Sequence, residues 1–278
     1  MALPQVNAMD AREARFRICQ IADLPPMPLA LHRLLAVFQD ESTSIRKIED
    51  LIQVDQSLCS KILRIANSSY YGFRGKIASL SRAMLVIGFD EVKAICFSLL
   101  LLEILSDKKV LTSRQRERFW KKALVVAKIA AVMAGRRPWM GEEEAYCMGL
   151  LHDLGEVIMA VHLQDHYRCL QEFARASGVP VWRAESLYGL GHGQVGRWVA
   201  VKWGLPEVFM RVLEFHHEPE VAPSFIAEVK MIHLANLLSD AGDDPEMLND
   251  TLTLGYCNDL CISEEEWEEY EEQLPLIQ

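Results

Sequence analysis

The chain has 278 residues, half of them hydrophobic and 24% charged, with a net charge of −10. That length allows one large domain or two smaller ones with a real core, and the composition excludes an intrinsically disordered chain. Residues 1–122 carry 19 Lys/Arg against 13 Asp/Glu, while residues 123–278 carry 10 against 26, so the second half is a poor electrostatic match for nucleic acid.

The first residues, MALPQVNAMDAREARF, hold no apolar core for a secretory signal. The longest apolar run, AICFSLLLLEIL at 94–105, is too short for a membrane span and is interrupted by Glu103, so it reads as a buried helix. Seven scattered cysteines, with no C-x-x-C, argue against a disulfide framework or zinc ribbon and suit core positions in a reducing, cytoplasmic setting. No membrane association is expected.

In chain order, nearly every segment has helical periodicity. LPPMP (24–28) sets an extended entry, followed by a helix with apolar residues at 31, 34, 35 and 38. Ser44 can cap a helix carrying Ile45, Ile48, Leu51 and Ile52. Asp55 can cap the next, which Asn67 stops. These two helices have a helix-turn-helix look. The second offers only Lys61 and Arg64 as basic groups, so an ordinary helical hairpin is the first reading. Ser81 caps a short helix ended by Gly88, and Asp90 caps the long apolar one. The polar stretch 106–113 marks a junction between an N-terminal helical subdomain, 1–110, and a second one, 111–278.

Helices then follow through FWKKALVVAKIAAVMAG, at 145–163, and near 164–177, 181–188, 192–203, 206–216 and 224–239. The acidic C-terminal tail places Trp267, Tyr270 and Leu274 at helical spacing, which predicts an amphipathic helix docked on the body. No stretch demands a sheet, so the class is all-α.

Within 148–163, Leu151, Leu154, Ile158 and Val161 form a buried stripe that His152 and Asp153 flank. Such a pair is first a hydrogen-bonded structural feature and second a ligand pair. His192 in GLGHGQVG and His216 and His217 in EFHHEP lie at helix ends. With His152 and Asp153 they bring four imidazoles and a carboxylate, a candidate set for a zinc, iron or manganese ion. His162 and His166 read as an exposed helix edge or loop, and His32 and His233 as isolated helix residues.

The blocks LPPMPLALHRLLAVF, IEDLIQVDQSLCSKILRIANSSYYGF, IASLSRAMLVIGFDEVKAI, GLLHDLGEVIM, ESLYGLGHGQVGRWVAVKWGLPE and VLEFHHEP, in this order across residues 20–240, resemble the HDOD family of HD-related output domains in bacterial signalling. The resemblance implies a multi-helix, HD-like fold. It also implies that His152 and Asp153 correspond to the metal-binding pair of catalytic relatives, and that His192, His216 and His217 correspond to their additional histidines. Three positions depart from the catalytic pattern. Lys122 stands where an upstream histidine ligand belongs, Asn236 where a distant aspartate belongs, and Glu156 where HD-GYP-type enzymes carry lysine. Lysine cannot ligate a metal while protonated, and asparagine removes a neutralising charge. The Lys122 ammonium can instead pair with Asp153 and replace the cation from within.

The expected function is therefore a non-catalytic signal-transduction output or scaffold module that contacts signalling proteins and requires no cofactor. Tyr70, Tyr71 and Arg74 of SSYYGFRG are candidate partner-binding residues, with packing beneath the helix turn as the plainer role. The alternative is a metal-dependent phosphohydrolase on a cyclic dinucleotide or nucleotide, with a rearranged site. In either case Asp153, His192, His216 and His217 remain available for one divalent metal.

Overall fold

The computed structural model describes residues 56–67, 77–88, 92, 111–241 and 251–277. The helices expected at 31–38, 45–52 and, apart from Val92, 90–105, the caps Ser44, Asp55 and Asp90, and the candidates Tyr70, Tyr71, Arg74 and His32 lie outside these residues. All regular structure among the described residues is helical, with no strand. The chain divides into two compact units, and residues 56–92 fall in one and 111–277 in the other.

In the smaller unit, α1 (Gln56–Ala66) and α2 (Leu80–Ile87) bury Ile62, Ala66, Leu80, Ala83 and Met84. Asn67 stops α1 by turning its side chain into hydrogen bonds. Its Nδ2 donates to the carbonyls of Leu63 (2.6 Å) and Ile77 (2.8 Å), and its Oδ1 accepts from the Ile77 amide (2.8 Å). The cap of α2 is Ser79, two residues earlier than the expected Ser81. Its hydroxyl accepts from the Arg82 amide, so Leu80 and Ser81 are already helical.

The larger unit begins with α3 (Ser113–Ala134), fixed by a reciprocal capping box between Thr112 and Gln115. Then come α4 (Glu142–Leu151), α5 (Leu154–His162), α6 (Gln164–Ser177), α7 (Val181–Tyr188), α8 (His192–Trp203) and α9 (Glu207–Phe215). A 3₁₀ turn at Pro219–Val221 leads to α10 (Ile226–Ala241), α11 (Thr251–Asp259) and α12 (Glu264–Ile277). Helices α6, α7 and α8 end on Gly178, Gly189 and Gly204, which sit in the left-handed region that glycine adopts without strain.

One core runs between these helices. The backbone of α4 lies close against α3, since a Cβ on Gly149 would stand 2.7 Å from the Ala127 Cα. Around this contact Val126, Ala127, Ala130, Ala145 and Met148 lose essentially all exposure. Leu151, Leu154, Ile158 and Val161 are buried, as the stripe required, but they do not share one helix. The expected 145–163 helix breaks at His152–Asp153 into α4 and α5. Trp267 and Tyr270 dock α12 with their rings buried, and Arg137 pairs with Glu266 at 2.7 Å. Helix α11 has no counterpart in the sequence reading. Cys147 and Cys257 are buried, whereas Cys59 and Cys169 are only half-buried and Cys261 is exposed. No helix among the described residues is long and apolar enough to cross a membrane.

Candidate functional site

The break between α4 and α5 forms the centre of the site. With the helix interrupted there, the adjacent side chains of His152 and Asp153 both turn inward, 1% and 8% exposed. His152 donates Nδ1–H to the Gly149 carbonyl (2.6 Å), which leaves Nε2 facing Asp153 Oδ2 at 3.1 Å. The two Asp153 oxygens have different neighbours. Oδ2 faces His152 and the Lys122 ammonium, the latter at 3.0 Å. Oδ1 faces His192 Nε2 at 3.4 Å and His216 Nε2 at 3.3 Å.

The histidines are held from behind. His192 opens α8, and Glu185 of α7 grips it twice, with Oε2 accepting both its backbone N–H (2.9 Å) and its Nδ1–H (2.6 Å). Gly191 offers no side chain, so this carboxylate caps α8 from a neighbouring helix and places negative charge at the positive end of its dipole. His216, at the end of α9, donates Nδ1–H to the carbonyls of Val212 and Leu213, both at 3.1 Å. Its tautomer is thereby fixed, and Nε2 carries a lone pair 3.2 Å from His192 Nε2. His233 of α10 donates Nδ1–H to the His216 carbonyl at 2.6 Å, so this residue, expected to stand alone, is buried and braces the next turn. His217 stacks flat on Trp182, with ring centroids 5.1 Å apart.

Burial opposes charge on His192, but the Glu185 and Asp153 carboxylates outweigh it and raise the ring to about 9. Burial lowers His216 to about 4 against the pull of Asp153, and burial with the neighbouring rings of His216 and His192 lowers His217. His192 is thus the cation of the trio, and its Nε2–H donates to His216. Burial alone would raise the Asp153 carboxyl and lower the Lys122 ammonium. The neighbouring His152 ring and the Lys122 ammonium hold Asp153 well below its usual range, and Asp153, Asp240 and Glu156 hold Lys122 above its own. Asp240 reaches Lys122 at 3.8 Å from α10.

Of the positions that depart from the catalytic pattern, Lys122 faces Asp153 directly. Asn236 is buried on α10 with Oδ1 unpartnered, one turn before Asp240. Glu156 does not present a bare repelling charge. Its Oε1 accepts from Arg118 Nη2 (3.0 Å) and from the Tyr167 hydroxyl (2.7 Å), and Arg118 also bonds Tyr167 (2.8 Å). Arg118, Tyr167 and Glu185 escaped sequence reading, although Arg118 lies one helical turn before Lys122 and so shares its face. His166 is a further correction, since it is buried at 5% exposure and not on an exposed edge.

Asp153, His192, His216 and His217 bring one ligand atom each within 4.8 Å of one another. Both Asp153 oxygens are buried without a well-formed hydrogen bond, and Nδ1 of His192 and His216 is anchored so that Nε2 is directed inward. A carboxylate whose Oδ1 is turned to the imidazoles and away from Lys122, and outer-shell anchoring of those imidazoles, fit a divalent metal. A cavity of about 310 Å³, lined by Trp182, Gly191, His192, His216 and His217 among others, gives access from the α7–α9 side.

The HDOD domain model matches residues 24–219. The chain belongs to the HDOD domain family. Its fold is that of an HDOD domain protein of unknown function from Geobacter sulfurreducens, 23% identical, with a TM-score of 0.76 over 95% of this chain and 97% of that one. It is also that of a protein from Marinobacter aquaeolei provisionally described as a signal transduction protein, 20% identical, with a TM-score of 0.78 over 99% of this chain and 66% of that one. An uncharacterized protein of Treponema pallidum is 24% identical over 209 residues, 73% of this chain. The aligned stretch is 39% of that relative's length, so this HDOD chain spans well under half of it. At these identities the likeness establishes the fold.

Proposed function

We propose that this HDOD chain is a non-catalytic output or scaffold module of bacterial signal transduction, working in the cytoplasm through contacts with signalling proteins. The observation that carries this reading is the Lys122 ammonium 3.0 Å from the Asp153 carboxylate. A bound divalent cation would supply Lewis acidity and an activated water for phosphoester hydrolysis. Asp153, His192, His216 and His217 are the residues that would hold it. The protein's own groups do something different. Lys122 neutralises the carboxylate that would help to hold a divalent ion, and the Arg118 guanidinium is engaged by Glu156 and Tyr167 instead of standing free for a phosphate. The module then offers partners a helical surface, with Tyr70, Tyr71 and Arg74 as proposed anchors. Its acidic second half disfavours nucleic acid as the partner.

The phosphohydrolase reading is favoured by one feature, the four ligand atoms gathered within 4.8 Å. Cyclic dinucleotides and nucleotides incubated with the full chain and Mg²⁺, Mn²⁺, Fe²⁺ or Zn²⁺ separate the two readings. The scaffold reading predicts no turnover above blank, together with recovery of specific signalling proteins on affinity capture. Metal-dependent turnover abolished by Asp153→Ala would overturn it.

A further inference from the structure

The different neighbours of the two Asp153 oxygens carry a further step. We infer that Lys122 permanently fills one half of a two-cation centre, while Asp153 Oδ1, His192, His216 and His217 form the other half and take a single zinc-like divalent ion. Ammonium and metal would then share one carboxylate. The inference rests on the reading above only through the Lys122–Asp153 pair.

Three edges of the second half are already set. Asp153 Oδ1, His192 Nε2 and His216 Nε2 are separated by 3.4, 3.3 and 3.2 Å, nearly an equilateral triangle. Ligand atoms at zinc distances of about 2.0–2.1 Å in a tetrahedron stand about 3.3 Å apart. The triangle therefore has the dimensions of one tetrahedral face without any rearrangement. His217 supplies the fourth ligand atom from the cavity side and must close a gap of at most 4.8 Å to its most distant counterpart. Three imidazoles and one carboxylate are a borderline donor set that suits zinc or ferrous iron better than magnesium.

The imidazoles of the triangle are held from behind, so a divalent ion can enter it with every Nδ1 hydrogen bond left in place: Glu185 on His192, and the Val212 and Leu213 carbonyls on His216. The first half differs. Its cation is covalently tethered on α3 and held in addition by Asp240, so a second ion has to displace an ammonium already paired on two sides. The positive charge of Lys122 also repels the ion on the far side of Asp153, which sets the affinity of the occupied half below what its ligands alone would give.

Titration of the metal-free full chain with Zn²⁺ by calorimetry, and with Co²⁺ by visible absorption, tests this. The expected result is one equivalent bound, with the intense Co²⁺ bands of a four-coordinate site. Binding should be lost in His217→Ala, whose half-buried side chain can be removed without disturbing the Lys122–Asp153 pair. Lys122→Met should bind at least about tenfold more tightly. No binding, two equivalents, or a His217→Ala protein that binds like wild type would each overturn the inference, as would an unchanged affinity in folded Lys122→Met. If Lys122→Met does not fold, stoichiometry and the His217→Ala comparison decide the matter. Absence of binding leaves the scaffold reading standing, whereas turnover by a protein holding one metal would sink that reading and leave this one.

Discussion

Replacing Gly155 by alanine should loosen the whole histidine site. A Cβ built on Gly155 would stand 1.8 Å from the His192 carbonyl oxygen and 2.7 Å from the Gly196 amide nitrogen. Both obstacles are main chain, so no rotamer change relieves them. Helices α5 and α8 would have to part by about 1.5–2 Å to regain ordinary contact. His192 moves with α8, and the 3.4 Å approach of its Nε2 to Asp153 would be lost. The shift would also unpack Val195 and Val199, which are fully buried on α8. Overpacking of this kind costs about 1–3 kcal/mol, and weakening a buried charged contact adds to it, so a loss of about 3 kcal/mol is expected. Urea unfolding followed by near-ultraviolet circular dichroism measures it. Gly255→Ala serves as the control, because it sits within α11 with nothing near its Cβ and should be neutral or stabilising by up to about 1 kcal/mol. A Gly155→Ala protein within about 0.5 kcal/mol of wild type would refute the close-approach argument.

Three other expectations concern single interactions. Lys122→Met strands the buried Asp153 charge and should cost about 3–5 kcal/mol in metal-free buffer, with Lys122→Met/Asp153→Asn recovering most of it; a double variant no more stable than Lys122→Met would contradict the pairing. Asn67→Ala removes three side-chain hydrogen bonds at the end of α1 and should cost about 2 kcal/mol, seen as faster amide exchange at Ile77; unchanged exchange would count against it. Docking of α12 should weaken in acid. Burial would raise the Glu266 carboxyl, but Arg137 and Tyr270 hold it below its ordinary value of 4.5. A lowered carboxyl stabilises the folded state above that value, and the contribution disappears as pH falls through the lower folded one. Proteolysis near residues 264–277 should therefore accelerate between pH 5 and about pH 3, and Glu266→Gln should remove that dependence; a wild-type rate independent of pH would refute it.

Several helix ends were readable from local spacing, although the local cap of α2 fell at Ser79 and not at Ser81. The bounds of α6, α7 and α8 match the periodicity almost to the residue, and the structure closes each with a left-handed glycine, Gly178, Gly189 and Gly204. The break at His152–Asp153 was not readable, because the apolar pattern continues unbroken across it. There the His152 bond to the Gly149 carbonyl and the pull of Lys122 on Asp153 override helical spacing. Long-range partners were equally hidden. The His233 bond to the His216 carbonyl joins residues 17 apart, and Arg118 meets Glu156 across 38. Sequence named the side chains that gather around Asp153, but not Glu185, whose role depends on where α7 lies relative to α8.

Glu185 also constrains how this chain can vary. A single oxygen serves both as the missing cap of α8 and as the counterion of its first side chain. Substitution to alanine would fray a helix and discharge an imidazole in one step, whereas glutamine would preserve the first job and forfeit the second. Drift at this position is therefore penalised twice over, while neighbouring Ser186 and Leu187, both turned to solvent, answer to neither demand.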